Sequence, residues 1–301
     1  MDTSAPSSSR RLLGIDWGTS NRRAYLVDAA GACLAERADD QGMLAARPDF
    51  AGSFARLLAA LDVGPDIPVV ASGMVGSAQG WRDVPYLDIG VPLEALPDSL
   101  VCIDDPRAGR PCLIVPGYAQ HGADVDVMRG EETQLLGAVA LGRRDGWFVL
   151  PGTHSKWVLL EDGVIRRIAT FMTGELFATL SAHGTLAPLM EGDGDDDAAF
   201  IAGLDAARRG TPLSNALFGV RARVVTGAMP AAHARSFVSG LLVGAEFVAA
   251  AGDAPLACIG SNALQGRYAR AAGYFGMTLS GLDPDRVYCA ALARFLDRIS
   301  P

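Results

Sequence analysis

The same succession of strand, glycine turn and strand occurs twice in the sequence, about half a chain apart. In the first copy the apolar residues 12–16 (LLGID) lead into the turn 18–22 (GTSNR). In the second copy residues 147–150 (WFVL) lead into the turn 152–156 (GTHSK). Each turn is followed by a second strand, a hairpin turn and a third strand. Such a long internal repeat predicts an α/β protein built of two similar lobes.

Both turns have the composition of a phosphate-binding loop. Glycine lets the backbone approach a ligand closely, successive N–H groups form an anion-binding concavity, and hydroxyl groups and a cation add favourable contacts. Either turn alone is more typical of an ordinary tight hairpin, but two copies, each continued through three strands, favour phosphate. The predicted phosphate ligands are Gly18, Thr19, Ser20, Asn21, Arg22, Gly152, Thr153, His154, Ser155 and Lys156.

Further segments contain candidate ligand-binding residues. Residues 69–71 form an apolar strand that ends in a Ser-Gly loop, and such loops bind ligands in open α/β sheets. Helical patterns begin at residues 131 and 173 with acidic first turns, which are also typical of ordinary capped helices. Trp81 fits a cover for a sugar chain and a core anchor under the loop equally well. The candidates are Ser72, Gly73, Met74, Trp81, Arg82, Arg129, Glu131, Glu132, Thr173 and Glu175.

Charge and cysteine content limit the function classes. The net charge of −8 and a pI near 5.0 disfavour nucleic acid and anionic membranes as partners. The five cysteines are scattered without metal-like spacing, which indicates reduced thiols in a cytoplasmic protein. No uninterrupted apolar run of about 18 residues is present, so a transmembrane helix is not expected. The polar, serine-rich residues 1–10 are expected to form a disordered tail.

Five phrases follow one another in the sequence: GIDWGTSNRRAYLVD, SGMVGSAQGW, MRGEETQLLG, LPGTHSKWV and FMTGELFATLSAHGTL. Together they span essentially the whole chain after the tail and resemble the 2-dehydro-3-deoxygalactonokinase family. This family lies in the sugar-kinase branch of the actin, hexokinase and Hsp70 superfamily. The resemblance implies ATP-dependent phosphorylation of the C6 hydroxyl of 2-dehydro-3-deoxy-D-galactonate in galactonate or galactose catabolism. The implied fold has two similar actin-like ATPase (ribonuclease H-like) lobes flanking an ATP cleft.

The resemblance also implies roles for individual residues. Asp16 occupies the place of the aspartate that holds Mg²⁺ through water in the superfamily. Leu150 and Pro151 stand where a second aspartate is usual, so the second turn is expected to contact phosphate without a metal role. Glu131 stands at the position of the general base, with Glu132 as the alternative.

The remaining implied roles concern the two substrates. The carboxylate of a sugar acid needs a cationic partner, and we expect Arg129 or Arg82 to provide it, while Lys156 serves the transferring phosphate. The strand, glycine turn and helix around Gly260, Ser261 and Asn262 correspond to the adenosine-binding arrangement of the superfamily.

We expect an N-terminal lobe at residues 11–140 and a C-terminal lobe at 141–301. The sequence leaves open whether the C-terminal helix packs back on the first lobe and whether the chain forms a homo-oligomer. Two alternatives to the galactonate kinase remain open. One is a kinase of a related keto-deoxy or aldonic acid, and the other is a member of the superfamily that binds or hydrolyses ATP without transferring phosphate to a sugar.

Overall fold

A computed structural model describes residues 10–192, 194–250, 252 and 254–299. Apart from Arg10, the expected tail lies outside the described residues. The chain divides into two compact units. The first unit comprises the described parts of Met1–Asp145, Leu160–Ile168 and Pro284–Pro301, and the second comprises those of Gly146–Leu159 and Ala169–Asp283.

The strands are β1 (Arg11–Trp17), β2 (Arg22–Asp28), β3 (Cys33–Asp39), β4 (Val69–Gly73), β5 (Leu87–Asp88), β6 (Val101–Ile103), β7 (Cys112–Ile114), β8 (Tyr118–Gln120), β9 (Asp126–Met128), β10 (Gly146–Leu150), β11 (Ser155–Glu161), β12 (Val164–Phe171), β13 (Leu256–Ile259) and β14 (Leu279–Leu282). The helices are α1 (Met43–Ala46), α2 (Phe50–Ala60), α3 (Glu131–Ala140), α4 (Thr173–Ala182), α5 (Asp197–Arg208), α6 (Leu213–Val225), α7 (Ala234–Ala250), α8 (Asn262–Tyr274) and α9 (Pro284–Arg298). Short 3-10 turns include Met74–Gly76 and Leu93–Ser99.

The first unit is organised around a six-stranded sheet of order β3-β2-β1-β4-β7-β6. Strand β1 is antiparallel to β2 and parallel to β4, and its apolar side chains are buried. Trp17, Phe54 and Ile114 belong to the core that this sheet shares with α2. Strands β5, β8 and β9 form a second, small sheet. The carboxyl ends of β1 and β4 lie side by side, because Asp16 pairs with Ser72 in the parallel register.

The second unit contains a five-stranded sheet of order β12-β11-β10-β13-β14. Strand β10 is parallel to β13, which is parallel to β14. All five residues of β10 are buried, as its apolar composition predicts. Helices α5, α7 and α8 supply Phe200, Phe247 and Tyr268 to the core that forms against this sheet.

Strands β3-β2-β1-β4-β7 of the first sheet follow the same order as the five strands of the second, and β6 is an additional edge strand of the first sheet. This correspondence confirms the predicted duplication. In each sheet the first strand of the repeat lies between the second strand and a later parallel strand, and the third strand forms the edge. The compact units differ from a division at residue 140 in two places. The hairpin tip Leu160–Ile168 and helix α9 both belong to the first unit. Helix α9 does so because it packs closely on α3 and β1, where a Cβ at Gly137 or Gly14 would overlap its residues Val287 or Leu292.

Among the described residues, no helix has both the length and the apolar character needed to cross a membrane.

Candidate functional site

The first glycine turn connects β1 to β2 and presents exposed polar side chains. Thr19, Ser20 and Asn21 are exposed. The turn is braced by the start of α1, where the amide of Met43 donates to the carbonyl of Gly18 at 2.8 Å. The amide of Leu44 likewise donates to the carbonyl of Thr19 at 3.1 Å. This bracing fixes the turn while its hydroxyl groups remain accessible to a ligand.

Arg22, predicted as the cation of the first turn, points into the protein and is only 3% exposed. Its Nε and Nη2 donate to the carboxylate of Asp39 at 3.1 and 2.8 Å. Its Nη1 donates to Ser53 Oγ at 3.1 Å, and the guanidinium lies 4.8 Å from the ring centroid of Trp17. These contacts assign Arg22 a structural role, and we do not retain it as a phosphate ligand.

Asp16 and Glu131 form a pair of neighbouring carboxylates in the first unit. Burial, and to a smaller extent the negative charge of Glu131, raise the pKa of Asp16 to about 6, while Arg23 opposes the shift. Gly130 precedes Glu131 with φ of 113°, and a Cβ there would come within 3.3 Å of the Cα of Gly73. The ends of β1 and β4 and the start of α3 therefore meet at one place.

Glu131 and Glu132 have different surroundings although they are adjacent in sequence. Glu131 is partly exposed, and its Oε2 accepts a hydrogen bond from the amide of Arg129 at 3.2 Å. Glu132 is completely buried, and both of its carboxylate oxygens accept from the amide of Gly130, at 2.9 and 2.7 Å. Burial raises the pKa of Glu132 to about 8, with a further contribution from the charge of Glu131. Of the two side chains, only that of Glu131 is partly exposed.

Because Glu132 is buried, we expect the free energy of unfolding to fall as the pH rises. Its folded pKa of about 8 exceeds the ordinary value of 4.5, so the folded state binds more protons than the unfolded state between these values. The free energy of unfolding should therefore fall by up to about 1.4 kcal/mol for each pH unit gained in this interval. Urea unfolding of wild type and Glu132→Gln at pH 5.5 and 7.5 measures the effect. The change in the free energy of unfolding between pH 5.5 and pH 7.5 should be smaller in the variant than in wild type. An equal change in both proteins would contradict the assignment of the raised pKa to Glu132.

The predicted substrate loop is held from behind by buried contacts. The hydroxyl groups of Ser72 and Tyr288 lie 2.9 Å apart in the interior, so Ser72 does not offer its side chain to a sugar. Met74 is partly exposed at the start of a 3-10 turn. Trp81 packs beside Phe50 and Phe54, in the position of a core anchor rather than of an exposed cover. The loop backbone, with φ of 89° at Gly73, thus remains the candidate sugar contact.

Two arginines are candidates for a substrate carboxylate, and they differ in environment. Arg82 is exposed. Arg129 is 9% exposed, its Nη2 donates to the carbonyl of Val84 at 2.7 Å, and its guanidinium lies 4.2 Å from the ring centroid of Tyr86. The Nε and Nη1 groups of Arg129 have no hydrogen-bond acceptor among the residues that the structure describes. Buried N–H groups without acceptors are costly, so an anion beside them would be stabilised.

The second glycine turn connects β10 to β11 and is braced in the same way as the first. Thr153 and His154 are exposed, and the amide of Glu175 at the start of α4 donates to the carbonyl of Thr153 at 2.9 Å. A Cβ at Gly174 would overlap the carbonyl oxygen of Gly152, so the helix can approach the turn only because residue 174 is glycine. His154 Nε2 lies 2.6 Å from Glu175 Oε2. Glu175 therefore orients the imidazole of the turn.

The last two residues of the second turn face inward. Ser155 is buried and its hydroxyl donates to Glu246 at 2.8 Å. Lys156 is 7% exposed and its Nζ donates to Thr170 Oγ1 at 3.0 Å. The hydroxyl of Thr173, predicted as a substrate ligand, also donates to Glu246. We therefore do not retain the side chains of these residues as direct ligands.

The predicted adenosine turn lies between β13 and α8, next to the second glycine turn. A Cβ at Gly260 would come within 3.2 Å of Pro151, which begins that turn. Ser261 and Asn262 are exposed, and Ser261 caps α8 by accepting from the amide of Leu264 at 3.4 Å. The second unit thus brings the predicted phosphate and adenosine segments together.

Sequence reasoning missed Glu246 and Tyr288. Glu246 is a single acidic residue in the apolar segment GLLVGAEFVAAA, and that isolation was the available signal for a buried carboxylate. Tyr288 had no local signal, because its contact with Ser72 depends on α9 returning to the first unit.

Comparisons with known proteins identify the family of this chain. The sequence profile of the 2-keto-3-deoxy-galactonokinase family matches residues 16–295. The chain belongs to this family. A protein of Rhizobium meliloti (strain 1021) named "Probable 2-dehydro-3-deoxygalactonokinase DgoK1" is 37% identical over 298 residues, which cover 95% of this chain and 97% of the relative. The 2-dehydro-3-deoxygalactonokinase of Escherichia coli (strain K12) is 33% identical over 290 residues, which cover 94% and 96%.

Solved structures show how far the likeness extends in space. A crystal structure from Sinorhizobium meliloti, named for the same kinase, superposes with a TM-score of 0.89 at 35% identity and covers 96% of this chain and 97% of that one. Component A of the (R)-2-hydroxyglutaryl-CoA dehydratase of Acidaminococcus fermentans superposes with a TM-score of 0.52 at 12% identity, covering 96% and 97%. The second likeness bears on the fold alone. The galactonokinase family member has the predicted actin-like ATPase fold.

Proposed function

We propose that this protein transfers the γ-phosphoryl group of ATP to the C6 hydroxyl of 2-dehydro-3-deoxy-D-galactonate, in galactonate or galactose catabolism. The observation that carries the proposal is the pairing of Asp16 with the partly exposed Glu131 beside a phosphate-type turn, in a chain of the 2-keto-3-deoxy-galactonokinase family. The reaction takes place in the cytoplasm, and five free cysteines suit that reducing compartment.

Glu131 acts as the general base in this proposal. Its carboxylate accepts the proton of the C6 hydroxyl and orients the oxygen for attack on the γ-phosphorus. Phosphoryl transfer has a loose transition state, so the base mainly positions the nucleophile. An ordinary carboxylate suffices for this task. Glu132, which is buried and bonded to the amide of Gly130, holds the start of α3 instead.

The phosphates of ATP are bound by backbone N–H groups and exposed side chains of the two turns. Thr19 and Ser20 contribute hydroxyl groups in the first turn, and Thr153 and His154 contribute a hydroxyl and a ring N–H in the second. The carboxylate of Glu175, whose Oε2 lies 2.6 Å from His154 Nε2, orients the imidazole toward the phosphates in this proposal. The predicted nucleotide contacts are completed by Gly18, Asn21, Gly152 and the turn at residues 260–262.

The residues at the end of β1 fit Mg²⁺. This ion is usually held by one or two carboxylates together with water and substrate phosphates. Asp16 is partly buried next to the charge of Glu131, and a divalent cation would offset the repulsion between the two carboxylates. The described part of the chain contains no group of three or more His, Cys, Asp or Glu suited to a metal. Asp16 would hold the ion through water, and the ion would neutralise phosphate charge.

We assign the carboxylate of the sugar acid to Arg129, because its unpaired N–H groups favour an anion. Arg129→Ala should raise the KM for the sugar acid at least about tenfold, the equivalent of one lost charge-assisted hydrogen bond. The KM for ATP should stay close to wild type. Arg82→Ala is the matched control, because Arg82 is exposed and lies close in sequence to the predicted substrate loop that follows β4. A larger effect of Arg82→Ala on the KM for the sugar acid would transfer the assignment to Arg82.

A coupled ADP-release assay with Mg²⁺ and ATP tests the proposed function. It compares 2-dehydro-3-deoxygalactonate, its gluconate epimer and a reaction without sugar, and the product is identified by mass and by the position of its phosphate. ADP release that requires the galactonate form and yields the 6-phosphate is expected. Preference for the epimer would indicate a kinase of a related acid, and ADP release without sugar would indicate an ATPase. Either result would overturn the proposed substrate.

A further inference from the structure

A buried carboxylate in the second unit accepts hydrogen bonds from four side chains. Glu246 on α7 is completely buried. Its Oε2 accepts from Ser155 Oγ at 2.8 Å and from Trp157 Nε1 at 2.7 Å. Its Oε1 accepts from the hydroxyl of Tyr268 at 2.8 Å and from that of Thr173. Each carboxylate oxygen thus has two donors.

The number of protons in this cluster suits an ionised Glu246. The hydroxyls of Ser155, Tyr268 and Thr173 and the indole of Trp157 supply one proton each, and all four groups lie within hydrogen-bond distance of the carboxylate. The hydroxyl oxygens of Ser155 and Tyr268 also lie 3.1 Å apart. Burial raises the pKa of Glu246 above its ordinary value, and the hydrogen bonds from Thr173, Trp157, Tyr268 and Ser155 offset only part of that rise. A protonated carboxyl would have to donate to one of these oxygens and would displace one of the donors. The complete set of bonds is made only by the carboxylate.

Three of the four donors come from the elements that flank the second glycine turn. Ser155 and Trp157 belong to β11, which begins where the turn ends. Thr173 is the first residue of α4, the helix whose Glu175 amide braces the carbonyl of Thr153. The turn at residues 152–154 is therefore held at both sides by segments that are bonded to one carboxylate.

We propose that Glu246 is a positioning residue for ATP: by fixing the start of β11 and the start of α4 on its two carboxylate oxygens, it sets the geometry of the turn that binds the nucleotide phosphates. This inference rests on the proposed function of the turn as a phosphate site. Glu246 itself does not touch ATP. It acts through Ser155 and Thr173, whose side chains face the interior for this reason.

Glu246→Gln tests the inference with little change of shape. The amide group replaces one acceptor oxygen with a donor, so two of the four donors lose their acceptor. The KM for ATP and the Kd for ADP should rise at least about tenfold, the equivalent of one hydrogen bond lost between the displaced turn and the nucleotide. The KM for the sugar acid should stay within about twofold, because its proposed ligands lie in the first unit. Tyr268→Phe removes one donor without adding a group and should weaken ADP binding to a smaller extent.

Val220→Ala is the control for general destabilisation. Val220 is fully buried in α6, in a core cluster that does not include the turn. This variant should lower the melting temperature and leave ADP binding unchanged. The inference is overturned if folded Glu246→Gln and Tyr268→Phe bind ADP like wild type, if Glu246→Gln raises both KM values equally, or if Val220→Ala reproduces the loss. ADP binding, measured by calorimetry, does not require turnover of the sugar acid, so it decides the role of Glu246 even if the proposed substrate is wrong.

Discussion

Replacement of Glu131 by glutamine is expected to lower kcat by a factor of about 10²–10⁴, the usual contribution of a general base. Glutamine keeps the shape of the side chain and can still accept from the amide of Arg129, but it cannot take the proton of the C6 hydroxyl. The KM for ATP should remain near wild type, because no nucleotide contact is assigned to Glu131. The coupled ADP-release assay with saturating sugar acid measures the effect.

Glu132→Gln is the matched control for this experiment. The side chain of Glu132 is completely buried, and its raised pKa of about 8 means that it is already largely protonated at neutral pH. A neutral amide should therefore leave kcat within a few-fold of wild type. If Glu132→Gln were the inactive variant and Glu131→Gln the active one, the base would have to be assigned to Glu132 and the start of α3 would have to move to expose it.

Asp16→Asn is expected to reduce activity and to increase stability at the same time. Charge stabilisation through a metal site contributes several kcal/mol, so kcat should fall by about 10³-fold. The pKa of Asp16 is raised to about 6 from 3.8, so at neutral pH the ionised carboxylate destabilises the folded state. Its removal should raise the free energy of unfolding on the order of 2 kcal/mol at pH 7.5 without Mg²⁺. Enzyme assays and urea unfolding measure the two effects.

The raised pKa of Asp16 also predicts how the activity changes with pH. Asp16 loses its charge as the pH falls through about 6, so kcat/KM of wild type for MgATP should decrease on the acid side of that value. The stabilisation gained by Asp16→Asn should vanish below about pH 4, where the carboxyl is protonated in the folded and unfolded states alike. A variant that lost activity and stability together would show that Asp16 is needed for packing rather than for metal and phosphate.

The duplication, the two glycine turns and the family were predictable from the sequence, because each depends on local patterns that recur. The direction of a single side chain was not. Arg22 and Arg23 are consecutive on β2, where alternation sends one inward and the other outward. The turn sequence alone does not show which arginine faces Asp39, so Arg22 was assigned to phosphate although it is buried against that residue.

The same limitation applies to the start of α3. Glu131 and Glu132 are consecutive residues on the helix, and the phase of the helix decides which one is buried. That phase is set by packing against other elements, including α9, which lies far away in sequence. Contacts of this kind, such as that between Ser72 and Tyr288, cannot be predicted from one segment at a time.

Each of the two glycine turns is braced by a backbone amide whose hydrogen exchange can be measured. The amides of Leu44 and Glu175 donate to the carbonyls of Thr19 and Thr153, which occupy equivalent places in the repeat. Hydrogen–deuterium exchange at each amide therefore records how often its own turn opens. The repeat thus allows the opening of each glycine turn to be followed separately in the unmodified protein.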